Sequence, residues 1–349
     1  MQQQEVKDRI WQLFQSGTLE NVSLGFQLIE SQGIDMQVEL AALELLGQRP
    51  FEGKSAIETV AKLFSEEVLI LRLKTIEAIP PIIRYFTHLK KLMIYYCRME
   101  SLPLEIQYLS NLEEFSAMMC DLKSLPEEFT QLSNLQEIYI YETKLRALPE
   151  HIGALSQLKK LKVEKSKLKK IPESIGDCKE LIAVDLSDNQ LQQLPESIGN
   201  CTKITDLQLN KNKLTLLPES LANLGELAFL EVANNKLAQI PEALSQLSNL
   251  VRLNLADNAI PNFPAGIEKL KKLTEIYLND NQITSIPSAV AELKTLQIFS
   301  IFNNKLTTLP IQIMQLERLD IFDFSQNPIK KENIPPALYQ WMMEKMGEV

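Results

Sequence analysis

From residue 66 onward the apolar residues of the chain fall in one fixed order. In the stretch LVRLNLADNAIPNFPAGIEKLKK, Leu250, Leu253 and Leu255 alternate with polar neighbours, which predicts a short half-buried strand. An asparagine follows at Asn258, then an apolar-proline pair, then a return segment carrying two more apolar residues. The same order starts at Glu66, Leu89, Leu112, Leu135, Leu158, Leu181, Ile204, Leu227, Leu250, Leu273, Leu296 and Leu319, without an insertion. Pro80, Pro103, Pro126, Pro149, Pro172, Pro195, Pro218, Pro241, Pro264, Pro287 and Pro310 keep the same spacing of 23 residues. An unbroken period of this length predicts a repeat architecture, with the first and last units imperfect.

The parts of the unit have separate physical roles. The polar residue after the strand is Asn at Asn189, Asn212, Asn235, Asn258, Asn281, Asn304 and Asn327. An amide there is expected to bond to the backbone of its own turn and of the neighbouring unit. Proline fixes its own φ and holds its predecessor extended, so the Leu-Pro pair predicts a turn. No unit buries its apolar residues alone, and stacking puts them in one continuous core.

The first 65 residues lack the repeat and predict helices. EVKDRIWQLF closes at Gly17 and TLENVSLGFQLIESQG at Gly33; DMQVELAALELLG follows, with Asp35 as a cap. SAIETVAKLF has capping-box spacing at Ser55 and Glu58. Ile10 with Phe14 and Val60 with Phe64 give amphipathic faces. At the other end PPALYQWMMEKM predicts a helix that sets Leu338, Trp341 and Met342 on the last unit, with Trp341 in the core.

The segments IPESIGDC, LPESIGNC and LPESLANL, each 23 residues after the last, resemble the leucine-rich repeat family, as do residues 66 to 332 generally. The resemblance implies an α/β solenoid, curved, with a parallel sheet on its concave face. The 23-residue Leu-Pro unit resembles an intracellular subclass often compared with Ras-binding scaffolds, and bacterial relatives of similar form. The expected organisation is a helical cap over 1–65, about twelve repeats over 66–332 and a capping helix over 333–349.

Charge and chemistry narrow the function. The net charge of −9 argues against general nucleic-acid affinity. MQQQEVKDRI does not read as a secretory signal, and no apolar run of membrane-spanning length occurs, so a cytoplasmic location is expected. Cys97 and Cys120 occupy the asparagine position, and Cys178 and Cys201 an inward leucine position, so all four are expected to be buried, reduced thiols. His88 and His151 lack ligand spacing, and GQRPFEGKS misses the phosphate-loop pattern by one residue. The expectation is a protein that is not an enzyme and carries neither cofactor nor metal.

Function then rests on the outward strand positions: third, fifth, seventh and eighth in each unit. Later units place polar residues there, including Asp185, Gln208, Glu231 and Asn254, whereas the early units place Ile70, Met93, Tyr95, Tyr96, Met118, Met119, Tyr139 and Tyr141. Such side chains dominate interaction hot spots. The unit that follows adds Lys160, Lys162 and Lys165, which suggests a protein or peptide partner with an acidic flank. The alternatives are that the first helices cover the Tyr/Met cluster and that the lysines form only a solvated face. Phe229, Tyr277, Ile298, Phe302 and Ile321 form a second, smaller candidate. The expected role is a protein-binding scaffold using the concave face of its early repeats. A small-GTPase regulator, by family resemblance, and a self-associating structural protein are the alternatives.

Overall fold

A computed structural model describes residues 2–47, 54–72 and 77–346. The chain divides into two compact units, Met1–Leu158 and Lys159–Val349. The first holds four helices, α1 (Gln2–Gln15), α2 (Leu19–Gln32), α3 (Gln37–Gly47) and α4 (Lys54–Ser65). Four parallel strands follow: β1 (Val68–Leu71), β2 (Lys91–Tyr95), β3 (Glu114–Met118) and β4 (Glu137–Tyr141). The second unit holds eight strands from β5 (Lys160–Glu164) and β6 (Ala183–Asp185) to β11 (Ile298–Ser300) and β12 (Ile321–Asp323), each parallel to the next. Register follows the sequence period, so Lys91 faces Glu114 and Asp185 faces Gln208.

The helices form where their caps allow. The Thr18 hydroxyl accepts the Asn21 N–H at 3.3 Å, and Gly33 ends α2 at φ 56°, in the left-handed region open to glycine. The Asp35 carboxylate accepts the Gln37 N–H at 3.2 Å, as its position predicted. The expected loop at 48–53 and the Ser55–Glu58 box lie outside the described residues. Ile10, Phe14, Val60 and Phe64 are buried on the inner faces. Trp11 stacks on Tyr85 at 4.2 Å and Phe64 on Phe86 at 4.6 Å. His88 sits within 3.2 Å of the Leu63 carbonyl oxygen, and burial holds its pKa below the usual imidazole value. The helical layer therefore rests on the first return segment.

The described return segments are short 3-10 helices that follow the turn fixed by the Leu-Pro pair. Pro195, at φ −70° and ψ 147°, directs the chain into Glu196–Asn200. Gly199 lets successive return segments approach closely: a Cβ there would lie 2.3 Å from the Ser220 carbonyl oxygen. The glutamate after the proline is a missed device. The carboxylates of Glu173, Glu196 and Glu219 accept the N–H groups of Ser197, Ser220 and Ala243 at 3.4, 3.1 and 3.3 Å, one repeat on. In these three return segments one backbone donor is thus satisfied by the preceding repeat.

Inside the strands the asparagines behave as expected. Asn212 donates to the carbonyls of Leu186 and Leu209 at 2.9 and 3.1 Å and accepts the Leu191 N–H at 3.0 Å. Asn235, Asn258, Asn281, Asn304 and Asn327 repeat this set. All seven asparagines at this position belong to the second unit. In the first unit Cys120 points its thiol at the Ile94 and Met118 carbonyls, at 3.6 and 3.2 Å. A thiol is a weak donor and has no amide oxygen to reach the next backbone N–H, so these turns are held less firmly.

At the other end α5 (Pro336–Met346) buries Leu338 and Met342, which are four residues apart on one face. Trp341 is half-buried rather than core, because its position turns it to the edge of that face.

Two stability predictions follow from this packing. Asn212→Ala strands two carbonyls and one N–H in the interior and is expected to cost about 2–4 kcal/mol, against about 1 kcal/mol for Cys120→Ala, in urea unfolding followed by circular dichroism. The four cysteines are reduced and buried. Burial pushes Cys178 up to about 12 and Cys201 up to about 11, from an ordinary 9.0. The folded state thus keeps protons that the unfolded chain releases above pH 9, so this stabilisation is complete below pH 9 and is lost as pH rises from 9 to about 12. The urea midpoint is expected to fall over that range, and less steeply in Cys178→Ala/Cys201→Ala.

Candidate functional site: a tyrosine and methionine face on the early strands

The register of β1 to β4 sets the early side chains in columns. Ile70 lies beside Met93, Met93 beside Ser116 and Ser116 beside Tyr139, while Tyr95, Met118 and Tyr141 form the next column. These positions point away from the leucine core, on the open face of the strands. Met93, Tyr95, Met118, Tyr139 and Tyr141 are half-buried, and Ile70 is exposed. The helices pack on Tyr85, Phe86 and His88, so the aromatic contacts of the cap lie on the return segment and not on this face.

Local bonds fix the rings. The Tyr139 hydroxyl donates to Glu137 at 2.6 Å, and the Tyr95 hydroxyl to the Met93 sulfur at 3.7 Å. The Arg72 guanidinium lies 5.3 Å from the centre of the Tyr95 ring. Lys91 pairs with Glu114 at 2.6 Å along the polar margin. An apolar surface with its rings already held loses little side-chain entropy on binding. Ser116, between Met93 and Tyr139, was not singled out from sequence because its column was read through its large members. It is 1% exposed, and its hydroxyl has no hydrogen-bond partner.

Tyr96 and Met119 depart from the expected strand positions. Both follow their strands, in left-handed backbone at φ 57° and 53°, and project from the turn, 52% and 43% exposed. The eighth position of every described repeat is left-handed: Glu142, Lys165, Asp188, Lys211, Asn234, Asp257, Asp280, Asn303 and Gln326 complete the series. Asp and Asn tolerate this conformation, whereas large side chains are strained in it. The early repeats carry that strain to place a tyrosine and a methionine at the rim.

Lys160, Lys162 and Lys165 belong to the second unit. Lys160 and Lys162 are half-buried on β5, and Lys165 is exposed in its left-handed turn. Lys162 is in register with Asp185, which is buried rather than exposed as expected. Burial and the Asp185 charge hold Glu164 above the usual carboxylate range, and burial does the same for Asp206. Lys162 offsets both carboxylates, so part of the basic stripe is balanced internally.

The later group is less continuous. Phe229 and Ile321 are exposed, but Arg252 stands between Phe229 and Glu275, paired to Glu275 at 2.8 Å, and Tyr277 donates to the same carboxylate at 2.9 Å. Among the described residues no group of three metal-ligating side chains converges.

Family models described as leucine-rich repeats match residues 180–201, 248–292 and 271–329. The matches fall where the asparagine ladder is complete. The chain is a leucine-rich repeat protein. A leucine-rich repeat protein of Leptospira interrogans is 27% identical, with a TM-score of 0.58 over 78% of this chain and 80% of that one. A TDR receptor is 26% identical, with a TM-score of 0.67 over 75% of this chain and 48% of the receptor. A chain of the Drosophila Toll–Spatzle complex shares the fold at 21% identity, with a TM-score of 0.66 over 78% of this chain and 42% of that chain. This leucine-rich repeat chain spans less than half the length of the latter two. No curated protein matches it.

Replacing the strained methionine, Met119→Asn, is expected to stabilise the protein by roughly 0.5–1 kcal/mol, because Asn relieves left-handed strain at an exposed site. A rise in the thermal unfolding midpoint checks it, and an unchanged or lower midpoint removes the strain argument.

Proposed function

We propose that this leucine-rich repeat protein is a noncatalytic scaffold that binds a protein or peptide partner on the open face of β1 to β4. The observation that carries the reading is the register of Tyr95, Met118 and Tyr141 beside Met93 and Tyr139, with Tyr96 and Met119 exposed at the rim. A partner covering it gains apolar burial at about 25 cal/mol per Å² and meets rings that are already positioned. Methionine lets the surface adapt to the shape presented. The TDR receptor of similar fold, 26% identical, supports binding as a use of such repeats. Among the described residues no helix is long and apolar enough to cross a membrane, which is compatible with the cytoplasmic location proposed here.

The test is affinity capture from the source cell, followed by titration of the purified captured protein. Tyr95→Ala/Tyr141→Ala is expected to weaken binding roughly thirtyfold or more, the range of a hot-spot loss of about 2 kcal/mol. Phe229→Ala/Ile321→Ala, on the later strands, is expected to leave it unchanged. Equal affinity for wild type and the double tyrosine variant, with both folded by circular dichroism, would contradict the reading.

A further inference from the structure

Most repeats of the second unit pass three backbone N–H groups to the repeat that follows, and the last two before β12 pass two, Leu278 with Asp280 and Ile301 with Asn303. Leu209, Lys211 and Asn212 donate to the carbonyls of Glu231, Ala233 and Asn234 at 2.7, 2.8 and 3.2 Å. Val232, Asn234 and Asn235 do the same to Asn254, Ala256 and Asp257 at 2.8, 2.9 and 3.1 Å. The corresponding donors at β12 are Phe324, Gln326 and Asn327. Among the described residues these three N–H groups have no acceptor. Beside them lies a groove of about 360 Å³ whose far wall is Ile329, Ile334, Tyr339 and Met342. Lys331 lies over the Tyr339 ring, 4.5 Å from its centre.

We propose that this edge takes an extended peptide strand from a partner protein, added parallel to β12. Its carbonyls would accept from Phe324, Gln326 and Asn327, and an inward apolar side chain would enter the groove against Ile334 and Met342. The donor spacing is the one that already holds a parallel strand in the repeats before it, so the edge is complementary to extended backbone. The inner side is apolar, with the Phe322 and Phe324 rings 4.9 Å apart. A second copy of this chain fits less well. Asp320, Asp323, Pro328 and Lys330 flank the strand, and charge and proline at an edge oppose pairing between identical chains. The inference does not rest on the tyrosine and methionine face.

The probe is the capped peptide LVRLNLADN, residues 250–258 of this chain, whose Asn254, Ala256 and Asp257 carbonyls fill the same role one repeat after Asn235. On the full chain, saturating peptide is expected to slow amide exchange at Phe324, Gln326 and Asn327 roughly tenfold, with no effect from a scrambled peptide. Ile334→Trp, which fills the groove, is expected to weaken binding about tenfold; Ile329→Trp serves if that variant misfolds. Absence of binding at millimolar peptide overturns the proposal, as does binding that leaves these amides unprotected. Protection that grows with protein concentration in the absence of peptide overturns it in favour of self-pairing.

Discussion

A buried asparagine amide makes the repeat possible. A backbone that turns out of a strand every 23 residues leaves carbonyl and N–H groups inside the core, and each such group left unpaired costs about 1–3 kcal/mol. One carboxamide answers three of them: Asn212 joins Leu186, Leu209 and Leu191, and so ties its own turn to the preceding repeat. The leucines supply the area buried, but the amide fixes the register. With register fixed, every outward position becomes part of a column one strand wide.

The same bond explains why the two ends of the repeat array differ in character. Where asparagine is present the outward positions are mostly polar and knit together, as in the Glu231–Asn254 contact at 2.8 Å. Where Cys97, Cys120, Thr143 and Ser166 replace it, a thiol or hydroxyl stands in for the carboxamide, and three of these four replacements lie behind the tyrosine and methionine columns. A less firmly held backbone under a methionine-bearing surface suits a face that adjusts to its partner. The bulky residues Tyr96 and Met119 in left-handed turns point the same way, since such strain is commonly retained at working surfaces.

Much of this was legible in the sequence, for a physical reason. Period and phase are one-dimensional properties, so the strands, the asparagine bonds and the buried state of all four cysteines follow from counting, while the parallel order of the strands was implied by the family resemblance. The helix ends at Gly33 and Asp35 were legible because caps are local. What escaped depends on three-dimensional neighbours. Asp185 reads as an exposed acid, yet lies buried beside Lys162. Trp341 reads as core, yet its turn around α5 leaves it at the margin. Ser116 hides because a small residue between two large ones is covered by them, and the eighth position looks like strand until its backbone is seen to turn left-handed. Glu173, Glu196 and Glu219, each just after a repeat proline, read as surface charges; their caps become visible only when the next return segment lies beside them.

The graded asparagine ladder is tested most directly by amide hydrogen exchange along the free protein at neutral pH. The account predicts strong protection at Leu209, Asn212, Val232 and Asn235, whose turns are tied by a buried carboxamide. It predicts markedly faster exchange at Tyr96, Met119 and Asp121, whose turns are tied by a thiol, although all of these N–H groups bond to a neighbouring repeat. Equal or greater protection in the early repeats would contradict it.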